Sequence, residues 1–355
     1  MLDLADILRR HWPAYLKKFG GRILPSHRRA VAAMGRCRTP ALGGQLYRCA
    51  RCGKLHGAYH SCNHRACPKC GHHDATAWMA KQKTWLLPVS YFLVTFTVPA
   101  QLRAFIRSRQ KLWFELLFQQ SSRALQDIAA DPKHWGVALG FLGVLHTWTR
   151  DLRFHPHIHY LVPGGGLTRD QLRWLQVPNA QFFLPQQVLA ARFRTRLQRA
   201  LQQNDPKLYL SIPRKVWSQK WVVDVLPVGR GEPALKYLSA YIYKTAISAQ
   251  RLLGCDDTSV SFRYRESASG QEKLCRLSGE AFLHRFLQHI LPCGFQRVRY
   301  FGWLAPAASK RRARILALLD WKAPPLIAPA ALPPPHCPHC QIPMKRIGTL
   351  PRAPP

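Results

Sequence analysis

Two Cys-x-x-Cys pairs constrain this chain more than any other feature: Cys49-Ala-Arg-Cys52 and Cys67-Pro-Lys-Cys70, separated by fourteen residues. Two such pairs at this spacing predict a zinc ribbon, in which Cys49, Cys52, Cys67 and Cys70 close one tetrahedral structural Zn²⁺ site. The chain has 11 cysteines, an odd number, and its first residues lack the apolar block and cleavage site of a secretory signal. A reducing, cytoplasmic setting is therefore expected, where cysteines serve metal binding or burial and not disulfides. Cys37, Cys62, His56, His60 and His64 lie close enough in sequence to supply a different ligand or a second ion. Far downstream, Cys337-Pro-His-Cys340 reads as half a knuckle, with His336 and His339 too tightly spaced to complete it.

Charge sets the partner. With 53 Lys and Arg against 17 Asp and Glu, the formal charge of +36 would repel itself unless a polyanion offset it. Nucleic acid is the expected partner. The candidate phosphate contacts are Arg48, Arg65 and Lys69 around the knuckles, and the alternating Arg297 and Arg299. No run of about eighteen apolar residues argues for a membrane. No Gly-x-x-x-x-Gly-Lys loop argues for a nucleotide cofactor or an ATP-driven motor.

The chemistry concentrates in Phe154-His155-Pro-His157-Ile-His159-Tyr-Leu-Val162, which reads as a strand. Alternate side chains share a face, so His157 and His159 project together, roughly 7 Å apart along the strand, as suits two imidazoles on one divalent ion. Residues 136–148 read as a second strand. If it pairs antiparallel through a turn near Arg150–Arg153, His146 comes opposite His157 to within a register step; His155, on the same strand face, competes as the third ligand. Imidazoles alone favour Mn²⁺ or Zn²⁺ by softness, whereas phosphate chemistry favours Mg²⁺ or Mn²⁺. A helix from about Pro233 sets Tyr237 and Tyr241 on one face, with Lys244 three residues after the second. A phenol needs a metal or a cation such as Lys244 to ionise near neutral pH.

Elsewhere the pattern predicts helices over residues 1–18, 101–130, 186–204 and 279–289. Strands are predicted over 91–98, 208–212 and 216–225, with two more within 259–277. Proline dominates residues 323–335, which read as a linker.

Together these pieces resemble a known family. His157-Ile-His159 followed by Tyr237-x-x-x-Tyr241-x-x-Lys244 is similar to the HUH endonuclease pattern. More closely, the chain resembles the two-tyrosine rolling-circle insertion-sequence transposases with an N-terminal zinc-binding region. The carrying segments are Cys37 to Gly44, the Cys49 to Cys70 knuckles, Phe96-Thr-Val-Pro99, Gly143 to Trp148, His155 to His159, Tyr237 to Lys244 and Gly294 to Arg299. The resemblance implies a metal-dependent nickase and strand transferase acting on single-stranded element ends and target. Tyr237 and Tyr241 would be its nucleophiles, with a 5′-phosphotyrosine intermediate. It also implies an α+β fold whose antiparallel sheet presents the metal site.

The expected organisation is a helical segment (1–36), a zinc-ribbon DNA-binding region (37–88), the HUH core (89–250), a basic C-terminal region (251–321) and a Pro-rich tail with Cys-x-x-Cys (322–355). A plasmid relaxase or replication initiator shares the core chemistry, and a zinc-dependent DNA-binding regulator needs no cleavage at all.

Overall fold

A computed structural model describes residues 2–70, 72–233, 235–236, 245–266, 269–328 and 333–353. The chain opens with α1 (Leu4–Phe19) and α2 (Pro25–Gly35), passes through the hairpin β1 (Gly44–Arg48) and β2 (Leu55–Tyr59), and reaches α3 (His72–Lys83). Asp3 starts α1: its carboxylate accepts the Asp6 amide at 3.1 Å, and Asp6 accepts the Asp3 amide at 2.9 Å. That reciprocal pair satisfies two donors the helix cannot use itself.

The middle of the chain runs β3 (Ser90–Thr97), α4 (Arg103–Ser108), α5 (Gln110–Ala130), β4 (Val137–Ala138), β5 (Gly140–Trp148) and β6 (Phe154–Pro163). It continues through β7 (Gly165–Thr168), β8 (Trp174–Gln176), α6 (Gln186–Asn204), α7 (Pro206–Ser211), α8 (Lys215–Ser218) and β9 (Val222–Arg230). Beyond lie β10 (Leu252–Cys255), β11 (Ser259–Arg265), β12 (Glu272–Ser278), α9 (Gly279–Leu287), β13 (Val298–Gly302), α10 (Ser309–Leu318) and β14 (Lys345–Leu350).

An antiparallel five-stranded sheet in the order β13-β5-β6-β3-β9 organises this α+β fold. Period-2 alternation splits it into two faces. Phe92, Val94, Phe96, Phe141, Leu145, Ile158 and Tyr160 point into the main core, built with Trp113, Phe114 and Phe118 of α5 and Leu189, Phe193 and Leu197 of α6. Leu93, Leu142, Val144 and Leu161 point to the other face, where Leu235, Trp303 and Ile315 join them. Gly143 pairs with Tyr160, and a Cβ there would stand 2.5 Å from the Tyr160 ring. Only glycine lets that ring lie across β5 and share a hydrogen bond with Ser121 at 2.6 Å.

Three predicted elements come out differently. The helix over 101–130 is broken at Arg109 (φ −135°, ψ 50°), so α4 turns away from α5 and lies against β6. Residues 208–212 are not a strand: Asp205 accepts the Leu208 amide at 3.0 Å and Pro206 occupies the first turn, so this helix-start signal overrides the apolar alternation. The strand placed at 216–225 begins as the turn α8 and becomes β9 only from Val222. β9 tolerates Pro227 because it is the sheet's edge and no outer ladder needs that N–H.

A second core joins α1, α2 and α9 with Val260 and Phe262 of β11, and Cys37 and Cys67 pack into it. His27 of α2 is buried there, and its Nε2 has no hydrogen-bond partner among the described residues. Burial pushes its imidazolium down to about 4. The unfolded chain takes up this proton near pH 6.5 and the folded chain only near 4, so stability is lost as pH falls through that window. Chemical denaturation at pH 7 and pH 5 is expected to show His27→Leu losing less than the parent chain, by about 1–2 kcal/mol.

Past α10, the described residues 322–328 and 333–335 have no helix or strand. The chain then returns to the N-terminal hairpin, where β14 pairs antiparallel with β1 to give the sheet β14-β1-β2. The tail thus completes the ribbon's own sheet. Among the described residues, no helix is long and apolar enough to cross a membrane.

Candidate metal centre and nucleic-acid interface

On the sheet face opposite α5 and α6, register decides the site. His146 of β5 is directly opposite His157 of β6, and His159 is opposite Val144 on one side and Thr95 of β3 on the other. Ligand nitrogens of His146, His157 and His159 all lie within 4.8 Å of one another. His157 Nδ1 stands 2.7 Å from the His155 carbonyl, which can only accept; that nitrogen therefore carries the proton and Nε2 keeps its lone pair. His159 Nδ1 is 2.9 Å from the Thr95 hydroxyl. Hydrogen-bonding one nitrogen of each ring to a neighbour is how proteins orient the other toward a metal.

Electrostatics favours neutral rings. Burial first, and the neighbouring histidines second, hold His146 and His157 well below the usual imidazole value, while burial takes His159 to about 4. Neutral imidazoles are the ligating form, so no proton has to leave at neutral pH. His146 stacks on Trp148 at 5.3 Å between ring centroids, and the Arg297 guanidinium lies over the other partner ring of this stack, 5.1 Å from the Trp148 centroid.

His155 shares the strand face but faces another partner. Its Nδ1 accepts from the Arg103 guanidinium of α4 at 2.7 Å, so in the neutral ring Nε2 bears the hydrogen. Neither nitrogen is then available to an ion. Tyr237, Tyr241 and Lys244 lie outside the described residues. Leu235, two positions before Tyr237, is buried with Leu93, Leu142 and Leu161 on the same face as the histidines.

The cysteines are partitioned differently from the single ribbon expected. Cys37, Cys62, Cys67 and Cys70 gather their sulfurs in one group, and Cys49 and Cys52 gather theirs with Cys337 and Cys340 in another. The reason is the hairpin. Cys49 and Cys52 sit at its turn, while Cys62 to Cys70 follow the far end of β2, about 15 Å away for a five-residue strand. Sequence spacing between the two pairs suits one ion; the intervening strand β2 keeps them apart. Cys37 and Cys62 were visible as nearby extras, but nothing local linked Cys337 and Cys340 to the ribbon.

Of the five expected phosphate contacts, Arg48 is exposed on β1. The other four have partners within the chain. Arg65 donates to the carbonyls of Phe295 at 2.7 Å, Leu291 at 3.1 Å and Pro292 at 2.6 Å, and Lys69 pairs with Asp3. Arg297 covers Trp148, and Arg299 grips Glu115 through two bonds of 2.6 Å while lying over Phe118 and Phe295. Arg299 thereby ties the sheet edge to α5, whereas Arg297 packs on β5.

Comparison with known proteins gives the family. A model described as "Putative transposase" matches residues 140–313, and one described as "Transposase zinc-binding domain" matches residues 7–98. The "Putative transposase y4qJ" of Sinorhizobium fredii (strain NBRC 101917 / NGR234) is 38% identical over 323 residues, 85% of this chain and 80% of that protein. The "Transposase for insertion sequence element IS801" of Pseudomonas savastanoi pv. phaseolicola is 28% identical over 294 residues, 78% of this chain and 69% of that protein. No solved structure matches the chain. The chain belongs to the two-tyrosine rolling-circle (HUH-type) insertion-sequence transposases, DNA-binding, DNA-processing enzymes with an N-terminal zinc-binding region.

Proposed function

We propose that this transposase nicks and transfers single-stranded DNA at the ends of its insertion sequence, with His146, His157 and His159 holding one Mg²⁺ or Mn²⁺ ion and Tyr237 and Tyr241 acting as nucleophiles. The observation that carries the reading is the histidine trio: three imidazoles with ligand nitrogens within 4.8 Å of one another, one of them with Nδ1 hydrogen-bonded to a backbone carbonyl. Bound there, the ion would polarise the scissile phosphate and orient it. Three protein ligands leave further coordination positions for phosphate oxygen and water.

In the proposed step a tyrosine oxygen attacks phosphorus, the bond to the 3′-oxygen breaks, and the tyrosine proton ends on that oxygen. The products are a 5′-phosphotyrosine and a free 3′-hydroxyl. Attack by a second 3′-hydroxyl reverses the chemistry, joins new strands and frees the tyrosine, so the ester energy is conserved and no nucleotide is consumed. Lys244 is proposed to favour the phenolate and to contact phosphate. Two tyrosines four residues apart allow two successive transfers.

Incubation with single-stranded element-end DNA and Mn²⁺ is expected to give a protein–DNA adduct that survives detergent and does not form when a chelator is present from the start. Tyr237→Phe with Tyr241→Phe is expected to form none. Adduct in that double variant would move the nucleophile elsewhere, and binding of every end sequence without adduct would favour a DNA-binding regulator.

A further inference from the structure

We propose that Cys49, Cys52, Cys337 and Cys340 form a second structural zinc site, separate from the Cys37, Cys62, Cys67 and Cys70 group and closed only when the C-terminal tail returns to the ribbon. The family matches cover residues 7–98 and 140–313, so half of these ligands lie outside both. Two independent observations support it.

The first is the sulfur geometry. All four sulfurs lie within 4.8 Å of one another, with Cys52 and Cys337 3.7 Å apart. Two thiolates held at about 2.3 Å in a tetrahedron stand about 3.8 Å apart. A disulfide would bring sulfurs to about 2.05 Å, and all four cysteines are free. The other group has the same spacing: 3.5 Å for Cys37 to Cys70, 3.7 Å for Cys62 to Cys70 and 3.6 Å for Cys67 to Cys37.

The second is the backbone. In the ribbon the Cys49 amide donates to the Lys54 carbonyl at 3.0 Å and the Gly53 amide to the Cys49 carbonyl at 3.0 Å. In the tail the Cys337 amide donates to the Ile342 carbonyl at 2.9 Å and the Gln341 amide to the Cys337 carbonyl at 2.9 Å. The fourth residue after each leading cysteine is left-handed: Gly53 at φ 67° and Gln341 at φ 56°. Glycine takes that conformation freely, but glutamine adopts it only where the surroundings impose it. Tail and ribbon therefore present one knuckle twice, facing each other, the construction of a four-thiolate zinc site.

Charge is consistent with an ion held this way. Zn²⁺ would displace the thiol protons, leaving four thiolates and one dication with a net charge of about −2. Arg48, Arg51, Lys54, Lys345 and Arg346 surround the knuckles, and residues 44–59 and 336–350 contain no Asp or Glu. The Cys52 amide also points at the Cys49 sulfur, 3.5 Å away, a contact that favours the thiolate. Because β14 pairs with β1 next to the site, with Arg48 opposite Lys345, the ion would staple residues almost 300 positions apart.

Metal analysis of the purified full chain tests this without reference to activity. Two zinc per chain are expected, falling to one in Cys337→Ser with Cys340→Ser. In the parent chain iodoacetamide is expected to label exposed Cys293 and spare Cys337 and Cys340 until a chelator is added. The labelling decides the matter even if the double variant fails to fold. One zinc in the parent chain, two in the double variant, or labelling of Cys337 and Cys340 at the rate of Cys293 before chelation would overturn the proposal.

Discussion

Replacing His157 with alanine is expected to lower the rate of DNA cleavage about a thousandfold or more while leaving DNA binding within about twofold. A metal acting on a phosphate stabilises charge by several kcal/mol, and about 4 kcal/mol corresponds to three decades in rate. Binding should be spared because it depends on phosphate contacts spread over a basic chain, and it should weaken steeply with salt in parent and variant alike. Gel shift and single-turnover cleavage on the same oligonucleotide separate the two quantities. His146→Ala should behave the same way. His155→Ala should cost far less: its ring rests 5.0 Å from that of His157, but its Nδ1 is taken by Arg103 and it is not one of the three grouped ligands. Equal loss of binding and cleavage in His157→Ala would assign the histidines a folding role.

The second large effect falls on stability. Cys67→Ser is expected to remove one zinc and lower the thermal midpoint by about 10 °C or more, a loss of about 5 kcal/mol. Cys37 and Cys67 are 1% and 3% exposed and pack into the core of α1, α2 and α9, so losing the ion there leaves thiols and loops inside an apolar cluster. Cys340→Ser touches a group bordered by only a small apolar cluster with Met344, and its effect should be clearly smaller. Scanning calorimetry with metal analysis of both variants tests the ranking. Equal midpoints would show that the two thiolate groups carry the same structural weight.

Much of the sheet was legible because its signals are local. Alternation in residues 154–162 marks a strand with His155, His157 and His159 on one side, and eleven positions back to His146 through a short turn bring the two within a register step; the structure pairs His146 directly with His157. Where local rules compete, the pattern misleads: Asp205-Pro206 starts a helix that Leu208 and Leu210 make look like a strand. Arginine was the least legible residue. Alternating Arg297 and Arg299 carry the same charge whether they meet phosphate or, as here, Trp148 and Glu115. A charge count gives the sign of a partner but not which cations remain to meet it.

The sequence by itself determined that thiolates would gather around metal, that two alternating histidines would share a strand face, and that a polyanion would be the partner. Each is written in residue type and short spacing. Tertiary structure alone decided the grouping. The five-residue strand β2 separates Cys49 and Cys52 from Cys67 and Cys70, the returning tail brings Cys337 and Cys340 to the first pair, and Arg103 occupies the nitrogen that made His155 a rival ligand. An ion senses distance in space, and spacing along the chain reports that distance only until the backbone turns.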